Sequence, residues 1–130
     1  MTAEWKLDPA EWDWSRAIFD HVDLFVSDLR ESVRFYETVL QPLGLPMIVD
    51  RGDSVEFPNF GLVGNRPTSG PMHLAFRART QDAVHVFHDA GVRAGFRDNG
   101  APGYRPEYQY YAAFLFDPDG NNVEAVYRPG

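Results

Sequence analysis

The chain has 130 residues, 44% of them hydrophobic and 15% aromatic, enough for one domain with a real core and too few for two independent ones. Nineteen acidic against twelve basic residues leave a formal charge of −7, which repels nucleic acid and anionic membrane surfaces at long range and makes a small molecule the expected partner. There is no cysteine, so disulfides, thiol nucleophiles, iron–sulfur clusters and cysteine-ligated zinc are excluded, and any metal chemistry must use His, Asp and Glu.

Residues 1–16 read as an N-terminal arm. Glu4, Asp8, Glu11 and Asp13 stand where a secretory signal would need a basic start and an apolar run, and no apolar stretch is long enough to span a bilayer, so a cytoplasmic location is expected. Asp8 can cap a short turn opened by Pro9. Trp5, Trp12 and Trp14, in an otherwise polar arm, are expected to fold back onto the domain or a partner subunit.

Residues 17–130 form the domain proper. From Ile18 the pattern alternates, with His21, Asp23 and Phe25 on one side and Val22, Leu24 and Val26 on the other, which predicts a strand with one greasy face. Asp28 then caps a helix over about 29–40, whose Leu29, Val33, Tyr36 and Leu40 fall at helical spacing. Three short extended pieces follow at 47–50, 54–57 and 60–63, separated by Arg51-Gly52-Asp53 and Pro58-Asn59. Residues 65–71, at the heart of the richest turn stretch in the chain, divide a first module (about 17–64) from a second (about 72–127).

The second module repeats the first at an offset of 52 residues. Setting His73 on His21 sets Leu74 on Val22, Phe76 on Leu24, Ala78 on Val26 and Phe87 on Phe35 without a gap. The second helix is expected over about 81–90, stopped by Gly91. An extended piece at 94–97, a loop at 98–109, a long strand at 110–116 and a last strand at 121–126 complete it. Equivalent residues of a duplicated unit are related by a local twofold axis, so His21 and His73 are expected to face each other across it.

Three segments carry a family resemblance: Phe19-Asp20-His21-Val22 followed by Asp28-Leu29 and Phe35-Tyr36; His73-Leu74-Ala75-Phe76; and Asp117-Pro118-Asp119-Gly120-Asn121-Asn122-Val123-Glu124. The chain resembles the vicinal oxygen chelate superfamily of glyoxalase I, extradiol dioxygenases, fosfomycin-resistance proteins, methylmalonyl-CoA epimerase and bleomycin-resistance proteins. The resemblance implies an α+β fold of two βαβββ modules, with a mixed sheet curled around a cleft and the helices outside. It also implies a divalent metal (iron, manganese, nickel or zinc) held by His21, His73 and Glu124. The acid that glyoxalase I adds from the last strand of the first module has no counterpart in Phe60-Gly61-Leu62-Val63, and Glu56, one strand earlier, is a poor substitute. Many relatives are homodimers, some sharing the metal site between subunits, so the three ligands can come from one chain or from two.

Two imidazoles and one carboxylate leave a divalent metal with positive charge and open positions for a substrate carrying two neighbouring oxygens. Strand alternation puts Asp23 and Phe25 on the His21 face, Ala75 and Arg77 on the His73 face, and Asn122 beside Glu124. Asp23, Phe25, Arg77 and Asn122, with Arg105 from a loop placed to act as a lid, are the candidate substrate contacts. Tyr110 and Tyr111 open the long strand, and the one facing the cleft could donate a hydrogen bond or a proton. His85 and His88 fall in the outer helical layer. Two functions follow. The first is a metal-dependent dioxygenase or a lyase or isomerase; the second is a metal-free protein that sequesters a small molecule, like the bleomycin-resistance members.

Overall fold

Both halves of the chain run strand, helix, three strands in the computed structural model, which describes residues 6–13, 15, 16 and 18–129. The first module holds β1 (Val22–Phe25), α1 (Leu29–Leu40), β2 (Val49–Asp50), β3 (Ser54–Phe57) and β4 (Phe60–Val63). The second holds β5 (His73–Ala78), α2 (Gln81–Arg93), β6 (Asp98–Arg105), β7 (Tyr110–Phe116) and β8 (Asn122–Tyr127). Each module builds its own four-stranded sheet, in the orders β1-β4-β3-β2 and β5-β8-β7-β6. The first strand of each runs parallel to the last, and the other pairs are antiparallel. The expected α+β architecture is therefore present as two mixed sheets.

Capping explains where the helices begin. Asp28 Oδ1 accepts from the Glu31 N–H at 3.1 Å and Thr80 Oγ1 from the Ala83 N–H at 3.0 Å, each satisfying a donor that the first helical turn leaves without a partner. Asp8 does the same for the 3-10 turn Pro9–Glu11 through the Ala10 N–H at 3.0 Å. Trp12 lies against the domain, as the arm's composition suggests; Trp5 and Trp14 fall outside the described residues.

Several boundaries differ from expectation: β1 begins at Val22 rather than near Ile18, β2 covers 49–50 rather than 47–50, and 94–97 form no strand. Helix α2 does not stop at Gly91 but continues to Arg93, and Gly95, at φ +93°, follows it. Gly91 is needed for closeness: a Cβ there would lie 2.5 Å from Leu115 Cδ1 and 3.2 Å from Val39 Cγ1. Residues 98–105, read as a loop for their glycines and proline, form β6. It is an edge strand, where Pro102 breaks no interior ladder, and its register shifts at Gly100, where a Cβ would press on Phe114 at 2.9 Å.

One core joins the modules. Leu24, Val55 and Leu62 of the first sheet and Leu115, Val123 and Ala125 of the second are fully buried with Tyr36, Val39, Leu40, Val84 and Phe87 of the helices. Val39 and Gly91 occupy equivalent positions in the two helices, so their contact places the local twofold axis in the helix pair. The Tyr36 ring lies 4.9 Å from Phe60 of β4 and 6.4 Å from Phe76 of β5. Its hydroxyl donates to Asp117 Oδ2 at 2.7 Å. Asp117 is buried and also accepts from the Asp119 and Asn121 N–H groups and from Asn121 Nδ2. The Asp-Pro-Asp-Gly turn is thus fastened to α1 of the other module, and the Ser27 N–H adds a bond to Asp119 at 3.1 Å.

Candidate functional site

With the greasy face of each sheet committed to the helices, the period of two leaves the polar residues on the opposite faces. On the second sheet, β5 and β8 lie side by side with His73 opposite Asn122 and Ala75 opposite Glu124. His73 Nε2 and Glu124 Oε1 are 2.7 Å apart. The Glu124 carboxylate is only 1% exposed, while the His73 side chain remains 54% exposed. The second oxygen, Oε2, is buried without any hydrogen-bond partner. A buried carboxylate oxygen in that condition costs free energy unless a cation or donor reaches it.

Alternation on β7 separates the two tyrosines. Tyr111 faces the helical layer, where its hydroxyl meets His85 Nε2 at 2.6 Å. Tyr110 lies beside Glu124, and burial, followed by the hydrogen-bonding and charge influence of that carboxylate, pushes its phenol well above the ordinary value. The Arg128 guanidinium sits over the Tyr110 ring at 4.9 Å. Tyr110 and Tyr111 both line a cavity of about 600 Å³ together with Trp12, Tyr104, Tyr127 and Arg128, and His21, His73 and Glu124 are not among its lining residues.

On the first sheet, His21 just precedes β1. The Val22 N–H donates to Asn59 O at 3.1 Å, and Asn59 Nδ2 donates to Asp20 O at 2.6 Å, so the hairpin tip between β3 and β4 fixes the strand entry. Asn59 itself takes φ +59°, the left-handed conformation that asparagine tolerates. His21 Nδ1 is paired with Asp20 Oδ1 at 2.8 Å, which leaves Nε2 as the free nitrogen. That bond first, and then the charge of Asp23, raise the imidazole above its ordinary pKa. The sequence reading passed over Asp20, although a carboxylate directly beside a candidate ligand histidine was the signal for it.

Within one chain the two histidines do not converge. The acids acting on His21 are Asp20, Asp23 and Glu56, all of the first module, and among the described residues no group of three or more His, Asp or Glu side chains is arranged to hold a metal. The positions that meet at the local axis are Val39 and Gly91, because the helices pack there. His73 and Glu124 are brought together; His21 stands apart on its own sheet.

The remaining candidates have assorted surroundings. Asp23 lies over Gly61, Phe25 receives the Arg66 guanidinium at 5.8 Å, and Asn122 accepts from Asn99 Nδ2 at 3.0 Å. Arg77 lines a cavity of about 300 Å³ between the first strands of the two modules, with Val22, Phe60 and Leu74. Arg105, expected on a lid loop, is at the end of β6, where it donates to Ala101 O at 2.6 Å and lies over Phe114 at 5.3 Å. His88 meets Asp98 at 2.8 Å in the outer layer.

Comparison with known proteins gives one family. The profile described as the Glyoxalase/Bleomycin resistance protein/Dioxygenase superfamily matches residues 18–125. No curated protein matches the chain. Among solved structures, a glyoxalase/bleomycin resistance protein from Albidiferax ferrireducens is 31% identical, covering 87% of this chain and 100% of its own, with a TM-score of 0.74. A lactoylglutathione lyase from Agrobacterium tumefaciens (23% identity, 85% and 92% coverage, TM-score 0.64) and a fosfomycin resistance protein from Listeria monocytogenes (14%, 88% and 95%, 0.66) share the fold.

Proposed function

The chain belongs to the glyoxalase/bleomycin resistance protein/dioxygenase superfamily, and from that premise we propose that it is a divalent-metal-dependent enzyme acting on a small substrate with vicinal oxygens. The ligands would be His21 of one copy with His73 and Glu124 of a second copy, so the working unit is a homodimer. The observation that carries this reading is the Glu124 carboxylate, 1% exposed, with one oxygen on His73 and the other without a partner. A carboxylate and an imidazole nitrogen 2.7 Å apart would supply two donors of a set that suits iron, manganese, nickel or zinc. His21, exposed with Nε2 free, is suited to complete it from across an interface.

The cation would act as a Lewis acid toward two adjacent substrate oxygens, in dioxygenase or in lyase and isomerase chemistry. The chain's own residues do the rest. Asp20 holds His21 in one tautomer through Nδ1. Tyr110, a phenol protonated at neutral pH and held further up by burial and Glu124, would donate to a substrate oxygen. Trp12, Tyr104 and Tyr127 offer flat walls for the remainder of the substrate, and Arg128 offers a positive charge.

A second reading, a metal-free sequestering protein, is favoured by one observation: the aromatic cavity exists within a single chain, whereas the three-ligand set does not. Elemental analysis of untagged protein purified without chelators, beside Glu124→Ala, decides between them. The metalloenzyme reading expects near-stoichiometric metal in the parent and a sharp loss in the variant. No metal in the parent, and none taken up on reconstitution, would remove that reading and leave sequestration.

A further inference from the structure

Three tyrosines stand in a row across one end of the second sheet. Tyr104 of β6 lies opposite Tyr111 of β7, and Tyr111 lies opposite Tyr127 of β8. Residues directly opposite on antiparallel strands share a face. Tyr111 identifies that face as the helical one, because its hydroxyl meets His85 of α2 at 2.6 Å. By strand alternation Glu124 is on the other side of the sheet. Helix α2 begins only at Gln81, and over this end of the sheet the N-terminal arm brings in Trp12. Between them lies the cavity of about 600 Å³, within the range of roughly 300–1,000 Å³ that small ligands occupy.

The lining specifies a chemistry. Aromatic rings supply most of it, and among the described residues Arg128 is the one charged side chain and no acid takes part. Aromatic walls alone would also attract a cationic guest, but an arginine without a neighbouring acid in the lining repels one. Tyr104 is 60% exposed, so a large ring is left in water that a stacked ligand would cover. Burial lowers the Arg128 guanidinium from its ordinary value, the sign of a cation partly withdrawn from water, and a ligand carboxylate would return the lost solvation through charge-assisted hydrogen bonds.

We propose that this cavity binds a planar aromatic carboxylate, its ring against Trp12 and the tyrosine row and its acid group on Arg128. The proposal deepens the reading of the cavity given above, and it requires no cation. Tyr110, which lines the cavity and lies beside Glu124, joins it to the face that carries His73.

The test is calorimetric titration of the full chain, stripped with EDTA, with three probes of one size: 2-naphthoate, the neutral 2-naphthalenemethanol and the saturated decahydro-2-naphthoate. The proteins are parent, Arg128→Gln, Trp12→Ala and Tyr104→Ala, with thermal melts to check folding; Tyr104 is exposed enough that its loss leaves the core untouched. In the parent, 2-naphthoate should bind at least about 10-fold more tightly than either other probe, the scale of one hydrogen bond to a charged group. Arg128→Gln should erase the advantage of the acid over the alcohol and leave the alcohol's affinity unchanged. Trp12→Ala and Tyr104→Ala should each weaken 2-naphthoate by about 5- to 20-fold. A parent that binds the alcohol or the saturated acid as tightly as 2-naphthoate, or that binds no probe, would overturn the proposal. So would parent-like 2-naphthoate affinity in Arg128→Gln, or in both aromatic variants. Metal content, measured separately, decides the metalloenzyme reading: a metal-free parent that binds 2-naphthoate removes only that reading, and a metal-bearing parent that does not bind it removes only this one.

Discussion

The two modules share one topology and yet treat their acids in opposite ways. In the second, Glu124 is fully buried beside Tyr110; in the first, Asp23 and Glu56 lie open to solvent with His21. The difference follows from strand length. Strands β6 and β7 run eight and seven residues, while β2 and β3 run two and four. The wider sheet has enough surface to lay Tyr110 and Phe114 around its carboxylate, and the narrow one does not. One half therefore carries a preformed pair of donors whose carboxylate is desolvated, and the other an exposed, adaptable set suited to being covered by another surface.

The contrast can be broken most severely at the fastening between the modules. Asp117→Ala leaves the Tyr36 hydroxyl, the Asn121 side chain and two backbone N–H groups without their acceptor. It should cost about 4 kcal/mol in urea unfolding, near the cost of breaking a buried charged network. Tyr36→Phe, which removes one of those bonds, should cost about 1–2 kcal/mol. A loss below about 1 kcal/mol for Asp117→Ala would mean that the turn is held by packing alone.

A change that makes the halves more alike should also harm the protein. Gly91→Val copies Val39 into the equivalent position of α2, where the added carbons meet Leu115 and Val39 itself. Overpacking of this kind should lower stability by about 2–3 kcal/mol, read as a drop in melting temperature. An unchanged melting temperature would show that the helices can separate at the axis without penalty.

The smallest effect belongs to the exposed half. Arg30 on α1 pairs with Asp50 on β2 at 2.7 Å, and this bond, then the Gly52 N–H, lowers the Asp50 carboxyl to about 2. Its folded pKa lies below the unfolded value, so the unfolded chain binds more protons. The stabilisation is complete above the ordinary carboxylate pKa of 3.8 and is lost as pH falls through about 2. The melting-temperature gap between parent and Asp50→Asn should therefore be small at pH 7, narrow further with salt, and close toward pH 2. A gap that widens on acidification would show that Arg30 does not act on Asp50.

Much of this was legible in the residues. Asp28 and the spacing of Val33, Tyr36 and Leu40 fixed α1 to the residue, and the alternation around Leu24 located β1 though not its start, because caps and periodicity act locally. The 52-residue offset predicted the second module's first strand and helix for the same reason. What escaped were features whose cause lies in a neighbour. Gly91 reads as a stop until Leu115 and Val39 are seen against it, and residues 98–105 read as a loop until β7 supplies the partner that makes them an edge strand. Of the site, the face shared by His73 and Glu124 followed from the repeat and the strand period, whereas the pairing of His21 with Asp20 did not.

By itself, then, the sequence determined the elements, their duplication and the side of each strand that carries chemistry, since these depend on bonds and periodicities a few residues long. Tertiary structure decided which equivalent positions meet. It chose the helices at Val39 and Gly91 rather than the histidines, because apolar helix faces bury more surface against each other than two polar strand ends could. That choice leaves His21 and the His73–Glu124 pair on separate faces of one chain.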